Sequence, residues 1–126
     1  MAKMTKGTYV DGFVIPIKKK DVEAYKKMAV WGSKMWKKYG ALEYFECVGD
    51  DLSVAKGMGV GFKKLAKLKA DETAVFSFIV YKSKAQRDQI NKKVMSDPSM
   101  NEFDEKSMPF DMKRFATGGF KILVKS

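Results

Sequence analysis

The stretch Ala41-Leu42-Glu43-Tyr44-Phe45-Glu46-Cys47-Val48-Gly49-Asp50-Asp51 reads as a short strand carrying two carboxylates and the chain's single cysteine. Side chains alternate across a strand, so Leu42, Tyr44, Glu46 and Val48 share one face while Glu43, Phe45 and Cys47 share the other. The two glutamates therefore cannot act as a local pair. Upstream, Val22, Tyr25, Met28, Ala29, Gly32, Met35, Trp36 and Tyr39 recur at three- and four-residue spacing, which predicts an amphipathic helix that Gly40 stops. Asp21 is its expected N-cap, and Trp31 falls off its apolar stripe. Before the helix, Tyr9 to Pro16 reads as a first strand, ended by a proline that cannot donate to a ladder.

Downstream, Gly49 opens a connection that runs to about Asp71, far beyond the roughly 2–5 residues of a hairpin loop. Within it, Phe62, Leu65, Ala66 and Leu68 alternate with Lys63, Lys64, Lys67 and Lys69, suggesting a short basic amphipathic turn or helix. Thr73 to Tyr81 is the longest apolar run and suits a central strand covered on both faces. Ser83 stands three residues before Gln86, a capping-box spacing, and the helix it starts turns Ile90, Val94 and Met95 inward. The segment from Ser99 to Lys113, with Met100, Phe103, Met108, Phe110 and Met112, is irregular yet too apolar to be a free linker. Arg114 to Val124 reads as a last strand whose Gly118-Gly119 pair signals a bulge or the close approach of another group.

Strand, helix, strand, strand, helix, strand is the α+β order of a ferredoxin-like βαββαβ domain: a four-stranded antiparallel sheet with two helices on one face. The expected organisation is a flexible N-terminus over residues 1–8, then one domain over 9–126 with a long basic insertion at about 52–71. The strands carry apolar side chains on both faces, and two helices cover only one. The other face predicts a homodimer with its sheets facing each other, a dimeric α/β barrel.

Composition narrows the class further. One cysteine among 126 residues excludes an intrachain disulfide and points to a reducing, cytoplasmic setting. No apolar run approaches the roughly 20 residues of a membrane-spanning helix, and the start lacks the apolar region of a signal peptide. The formal charge of +10 raises nucleic-acid binding through the Lys63 to Lys69 segment. Only Arg87 and Arg114 are arginine, however, and the lysines are spread over every segment, so a solvated lysine-rich surface is the simpler account.

Several motifs in order then become specific. Tyr9-Val10-Asp11-Gly12-Phe13, Gly40-Ala41-Leu42-Glu43-Tyr44 with Glu46 to Asp51, Arg87-Asp88 with Asn91 to Met95, Met108-Pro109-Phe110-Asp111 and Gly118-Gly119-Phe120 resemble the small bacterial YbaA-like family of unknown function, over nearly the whole chain. The resemblance implies a dimeric α/β barrel and brings no established activity. It also implies histidine at the positions of Tyr39 and Gln86, whereas this chain has none.

Without histidine there is no Ser-His or Cys-His nucleophile, no His-ligated zinc and no proximal haem histidine. Cys47 reads as a core cysteine. Asp50 and Asp51 read as turn caps with no third ligand spaced for a cation, and Gly57 to Gly61 lacks the spacing of a phosphate-binding loop. Polar residues within strands remain. Asp11, Glu46, Ser77 and Thr117 are the ligand-binding candidates, with Cys47 and Gly118 as weaker ones, although strand parity speaks against all of them sharing a face. The plainer role of Asp11 and Glu46 is an ion pair with one of the lysines. No metal or cofactor is expected. The leading expectation is a homodimer holding a small apolar or aromatic molecule in the barrel interior. The alternative is a cofactor-independent monooxygenase-like enzyme in which Asp11 or Glu46 deprotonates an acidic aromatic substrate.

Overall fold

The computed structural model describes residues 7–102 and 108–126. Phe103 lies outside them, as does most of the expected flexible N-terminus. Of that terminus Gly7 and Thr8 are described, and they are tied down: the Thr8 N–H donates to Tyr81 O at 3.0 Å and the Ile122 N–H to Thr8 O at 2.9 Å.

The elements are β1 (Tyr9–Lys18), α1 (Val22–Lys38), β2 (Glu43–Val48), α2 (Phe62–Leu65), β3 (Glu72–Tyr81), α3 (Lys84–Met95) and β4 (Ala116–Lys121). The sheet has the order β2-β3-β1-β4, antiparallel throughout, with β3 inside it as its apolar run predicts. Pro16 does not end β1. The Gly49 N–H donates to Ala74 O at 2.7 Å, so Ala74 turns its polar groups toward β2, and Pro16 opposite it needs no donor there. Its ring faces the side on which β4 has already ended at Ala116.

Local chemistry explains the helix ends. Gly40 takes φ +112° just past α1, a conformation that side-chain-bearing residues resist. Asp21 makes no side-chain cap; a 3-10 turn at Lys19–Asp21 leads into α1 instead. At α3, Ser83 Oγ accepts from the Gln86 N–H at 3.1 Å, while Gln86 Oε1 reaches back one residue further than a capping box to the Lys82 N–H. Ile90 and Val94 are buried, but Met95 is exposed, contrary to the expected inward stripe.

Register sorts the sheet into two faces. Tyr9, Asp11, Phe13, Ile15 and Ile17 lie with Val75, Ser77, Ile79 and Tyr81, with Tyr44 and Glu46, and with Thr117 and Gly119. This inner face packs on α1 and α3 through two apolar clusters, one around Tyr81, Ile90 and Val94 and one around Ile15, Ile17 and Tyr25. The outer face carries Phe45, Cys47, Phe76, Phe78 and Phe120. It is only partly covered within one chain: Pro16, Ala74 and Val80 are buried there, but Phe76 is 46% and Phe120 61% exposed, and Cys47 is exposed rather than in the core. Phe62 of α2 reaches toward this face, its ring 6.3 Å from Phe76. The glycine pair of β4 marks close approach and not a bulge, since a Cβ on Gly119 would stand 2.9 Å from ring carbons of Tyr9.

One ion-pair network closes the domain. Arg114, turned in before β4, binds Glu72 through both terminal nitrogens at 2.6 Å, donates to Asp111 at 3.0 Å and to Lys67 O at 3.0 Å. The long loop, β3 and the segment before β4 thus meet on one guanidinium. Its fork matches the Glu72 carboxylate, whose pKa falls from 4.5 to about 2, mainly through those hydrogen bonds. The folded carboxyl therefore holds its proton more weakly than the unfolded one. Its stabilisation is fully present above pH 4.5 and is lost as pH falls toward about 2. Glu72→Gln is expected to unfold about 2 kcal/mol more easily at pH 7 and to flatten the acid limb of a urea-denaturation series. An unchanged acid limb would contradict this assignment.

Candidate functional site

A half-open cavity of about 540 Å³ lies between the inner sheet face and the helices, bordered by Met100, Met108 and Phe110 from the irregular segment. The sheet builds its floor. Thr117 on β4, Phe13 on β1, Ser77 on β3 and Glu46 on β2 are successive cross-strand neighbours in a single row, and Asp11 lies in the adjacent row with Ile79 and Tyr44. Asp11, Glu46, Ser77 and Thr117 therefore do share a face. Parity counts only within a strand, and the register that aligns four strands is not visible in any one of them. Gly118 borders the cavity at its β4 edge, beside the exposed Thr117. Cys47 faces the other way and is not part of the lining.

The acids have different partners. Asp11, only 4% exposed, accepts from Arg87 Nη1 at 2.9 Å; Arg87 Nη2 reaches the Tyr9 hydroxyl at 3.3 Å, and the guanidinium sits 5.1 Å from the Tyr9 ring centroid. The Arg87 Nε lies 2.8 Å from Asp88 without the alignment of a hydrogen bond. The partner of Asp11 is thus an arginine from α3 and not one of the lysines. Both arginines are engaged with carboxylates of the chain, which removes the residues best suited to phosphate recognition.

Glu46 has no ion-pair partner among the described residues. Its Oε2 accepts from the Tyr25 hydroxyl at 2.6 Å and its Oε1 from the Tyr44 hydroxyl at 2.8 Å. Burial pushes the Glu46 carboxyl above its ordinary range, and the two phenols offset only part of that. Burial, together with the charge of Glu46, pushes both phenols far above theirs, so they remain protonated donors. The clamp depends on Gly32, where a Cβ would stand 2.7 Å from the Tyr44 hydroxyl: α1 must pass this close for the phenol to fit.

The remaining wall is aromatic and sulfur-rich. Trp31 and Trp36 from α1 line it with Met28, Met100, Phe110 and Phe115. Trp36 Nε1 donates to Asn91 Oδ1 at 3.0 Å, which also accepts from the buried Tyr81 hydroxyl at 3.4 Å. Trp31, off the apolar stripe of α1, is half-buried at this cavity. The positions of Tyr39 and Gln86 lie outside the lining: Tyr39 donates to Asp97 and Gln86 Nε2 to Gly40 O at 3.3 Å. Asp51 caps its own turn, accepting from the Ser53 N–H at 3.1 Å, as its sequence context predicts. Among the described residues no cluster of three or more His, Cys, Asp or Glu could hold a metal ion.

The cavity is not the interior of a barrel. It lies between the sheet and the helices of one chain, whereas the barrel expected from two facing sheets would enclose the outer face. Sulfur and ring faces give it an adaptable apolar wall, Glu46 gives it a fixed acceptor, and Asp11 with Arg87 gives it a neutralised pair.

Fold and cavity define a ferredoxin-like α+β protein with an internal pocket between sheet and helices. The solved structure of a dimeric ferredoxin-like protein from an uncultured marine organism shares the architecture, with a TM-score of 0.56 and 14% identity over 94% of this chain and 99% of that one. The chain belongs to the family described as protein of unknown function (DUF1428), which matches residues 8–112. It is 44% identical over 116 residues to the uncharacterized protein YbaA of Escherichia coli K12, covering 92% of this chain and 97% of that protein, and equally similar to YbaA of Shigella flexneri. The YbaA-like resemblance read from the motifs is therefore correct. Among the described residues no helix is long and apolar enough to cross a membrane.

Proposed function

We propose that this chain is a bacterial cytoplasmic homodimer that binds a small apolar or aromatic molecule in the cavity of each protomer. The observation that carries the reading is the cavity itself: about 540 Å³, aromatic and methionine-walled, with few polar groups converging on it. Ligand sites commonly span roughly 300–1,000 Å³ with that kind of lining. Dimerisation is supported by the uncovered aromatic outer face and by the dimeric state named for the similar solved structure. An exposed Cys47 persists as a thiol in a reducing compartment, and the YbaA relatives are bacterial.

Both tryptophans of the chain line the cavity, so intrinsic tryptophan emission reports on its occupancy. Titration with p-cymene, an uncoloured alkylbenzene, is expected to shift and quench that emission saturably. Thr117 sits exposed at the β4 edge of the cavity, where Thr117→Phe fills space without disturbing the core. That variant is expected to weaken p-cymene binding at least tenfold while its Tm stays near the wild-type value. Emission indifferent to p-cymene, or equal binding by Thr117→Phe, would contradict the reading.

A second reading is supported by the burial-raised carboxyl of Glu46. With Asp11 committed to Arg87, Glu46 is, among the described residues, the cavity acid placed to take a proton from an acidic aromatic substrate, as a cofactor-independent monooxygenase-like enzyme requires. Unchanged turnover of every tested quinol in Glu46→Gln would count against it.

A further inference from the structure

Among the described residues the charges of the cavity do not balance, and the imbalance specifies more than an apolar guest. Its described lining holds three charged side chains, Asp11, Arg87 and Glu46. Asp11 and Arg87 satisfy one another at 2.9 Å, and no ion pair reaches Glu46 among the described residues, although the chain as a whole carries +10. Glu46 is nevertheless held for use. Tyr25, from α1, and Tyr44, two residues along the same strand, each fix one oxygen, and a carboxylate oxygen so engaged keeps a further lone pair to offer. The same cavity is lined by the rings of Trp31 and Trp36 besides those of Tyr25 and Tyr44.

We propose that the cavity selects an aromatic or lipophilic amine, bound as its ammonium ion with the cationic head at Glu46 and its apolar body against the tryptophans and methionines. The inference rests on the cavity-binding reading and names the chemical class of the guest. An anion would meet an unneutralised carboxylate, and a neutral hydroxyl would satisfy the acceptor without the charge. An ammonium supplies both in a charge-assisted hydrogen bond, and ring faces favour a cation over either alternative. Burying an ammonium is costly without a partner, and among the described residues Glu46 is the cavity group without an ion-pair partner of its own.

The test is calorimetric titration at pH 7 with three probes of one shape: 1-naphthylmethylamine, 1-naphthalenemethanol and 1-naphthoic acid. Wild-type protein is expected to bind the amine at least tenfold more tightly than the alcohol, and the acid most weakly. In Glu46→Gln the amine and alcohol are expected to converge to within about threefold. The wild-type series is decisive even if that variant folds poorly. Equal or tighter binding of the alcohol or the acid overturns the amine assignment and leaves the cavity reading standing. An amine preference unchanged in a folded Glu46→Gln overturns the role of Glu46. Failure of all three probes to bind, with p-cymene also refused, overturns the cavity reading and this inference together; failure of the three with p-cymene accepted overturns this inference alone.

Discussion

Phe76→Asp is expected to yield a folded monomer. Phe76 lies on the outer sheet face in a run of rings: it meets Phe78 edge-on at 5.8 Å, Phe78 stacks on Phe45 at 4.7 Å, and Phe62 of the long loop stands 6.3 Å from Phe76. Nearly half of its surface is open in the single chain, so its replacement leaves the inner core untouched. In a two-fold assembly the substitution occurs twice, and each buried carboxylate without a partner costs on the order of several kcal/mol. Self-association should weaken by at least about 100-fold, which corresponds to about 2.7 kcal/mol. Sedimentation velocity at micromolar concentration reads the result directly. A variant that sediments as the wild type does would remove the outer face from the interface.

Arg87→Met is expected to be among the most destabilising changes outside the apolar core. It removes the cation facing a nearly fully buried carboxylate, and breaking such a pair typically costs about 3–5 kcal/mol because the remaining charge stays buried. For a domain of this size that lowers the Tm by roughly 10 °C or more. The diagnostic is the double variant: Asp11→Asn in the Arg87→Met background takes the charge away, so much of the lost stability should return. A loss below about 1 kcal/mol in Arg87→Met, or a double variant no better than the single, would show that the pair is not the coupling the geometry describes.

The helix ended by Gly40, the Ser83 cap, the central placement of β3 and the close approach at the β4 glycines are local properties, each written in a few adjacent residues. Pro16 misled because the rule against proline in a strand concerns donors on the paired side. The strand that stops short of Pro16 is β4, a hundred residues away in sequence. The same distance hid the site. Asp11, Glu46, Ser77 and Thr117 were identifiable as polar interruptions of apolar strands, but their assembly on one face is a property of register among four strands. Arg87 was missed as the partner of Asp11 because lysine dominates the cations by number, and number says nothing about which one faces the sheet. Tyr25 and Tyr44 were visible as aromatic core; their hydroxyls' aim at Glu46 follows from how closely α1 passes at Gly32. Cys47 reads as core because apolar neighbours imply burial only where something covers them, and its part of the outer face is bare in one chain; Met95, at the end of α3, borders the open cavity and keeps most of its surface exposed.

Native mass spectrometry of gently purified protein, before and after incubation with p-cymene, tests assembly and occupancy in one spectrum. The account predicts a particle of twice the chain mass that carries a small additional mass, either retained from the cell or acquired from p-cymene, and loses it on denaturation. A monomer that persists at micromolar concentration, or a dimer that remains bare after the incubation, would contradict it.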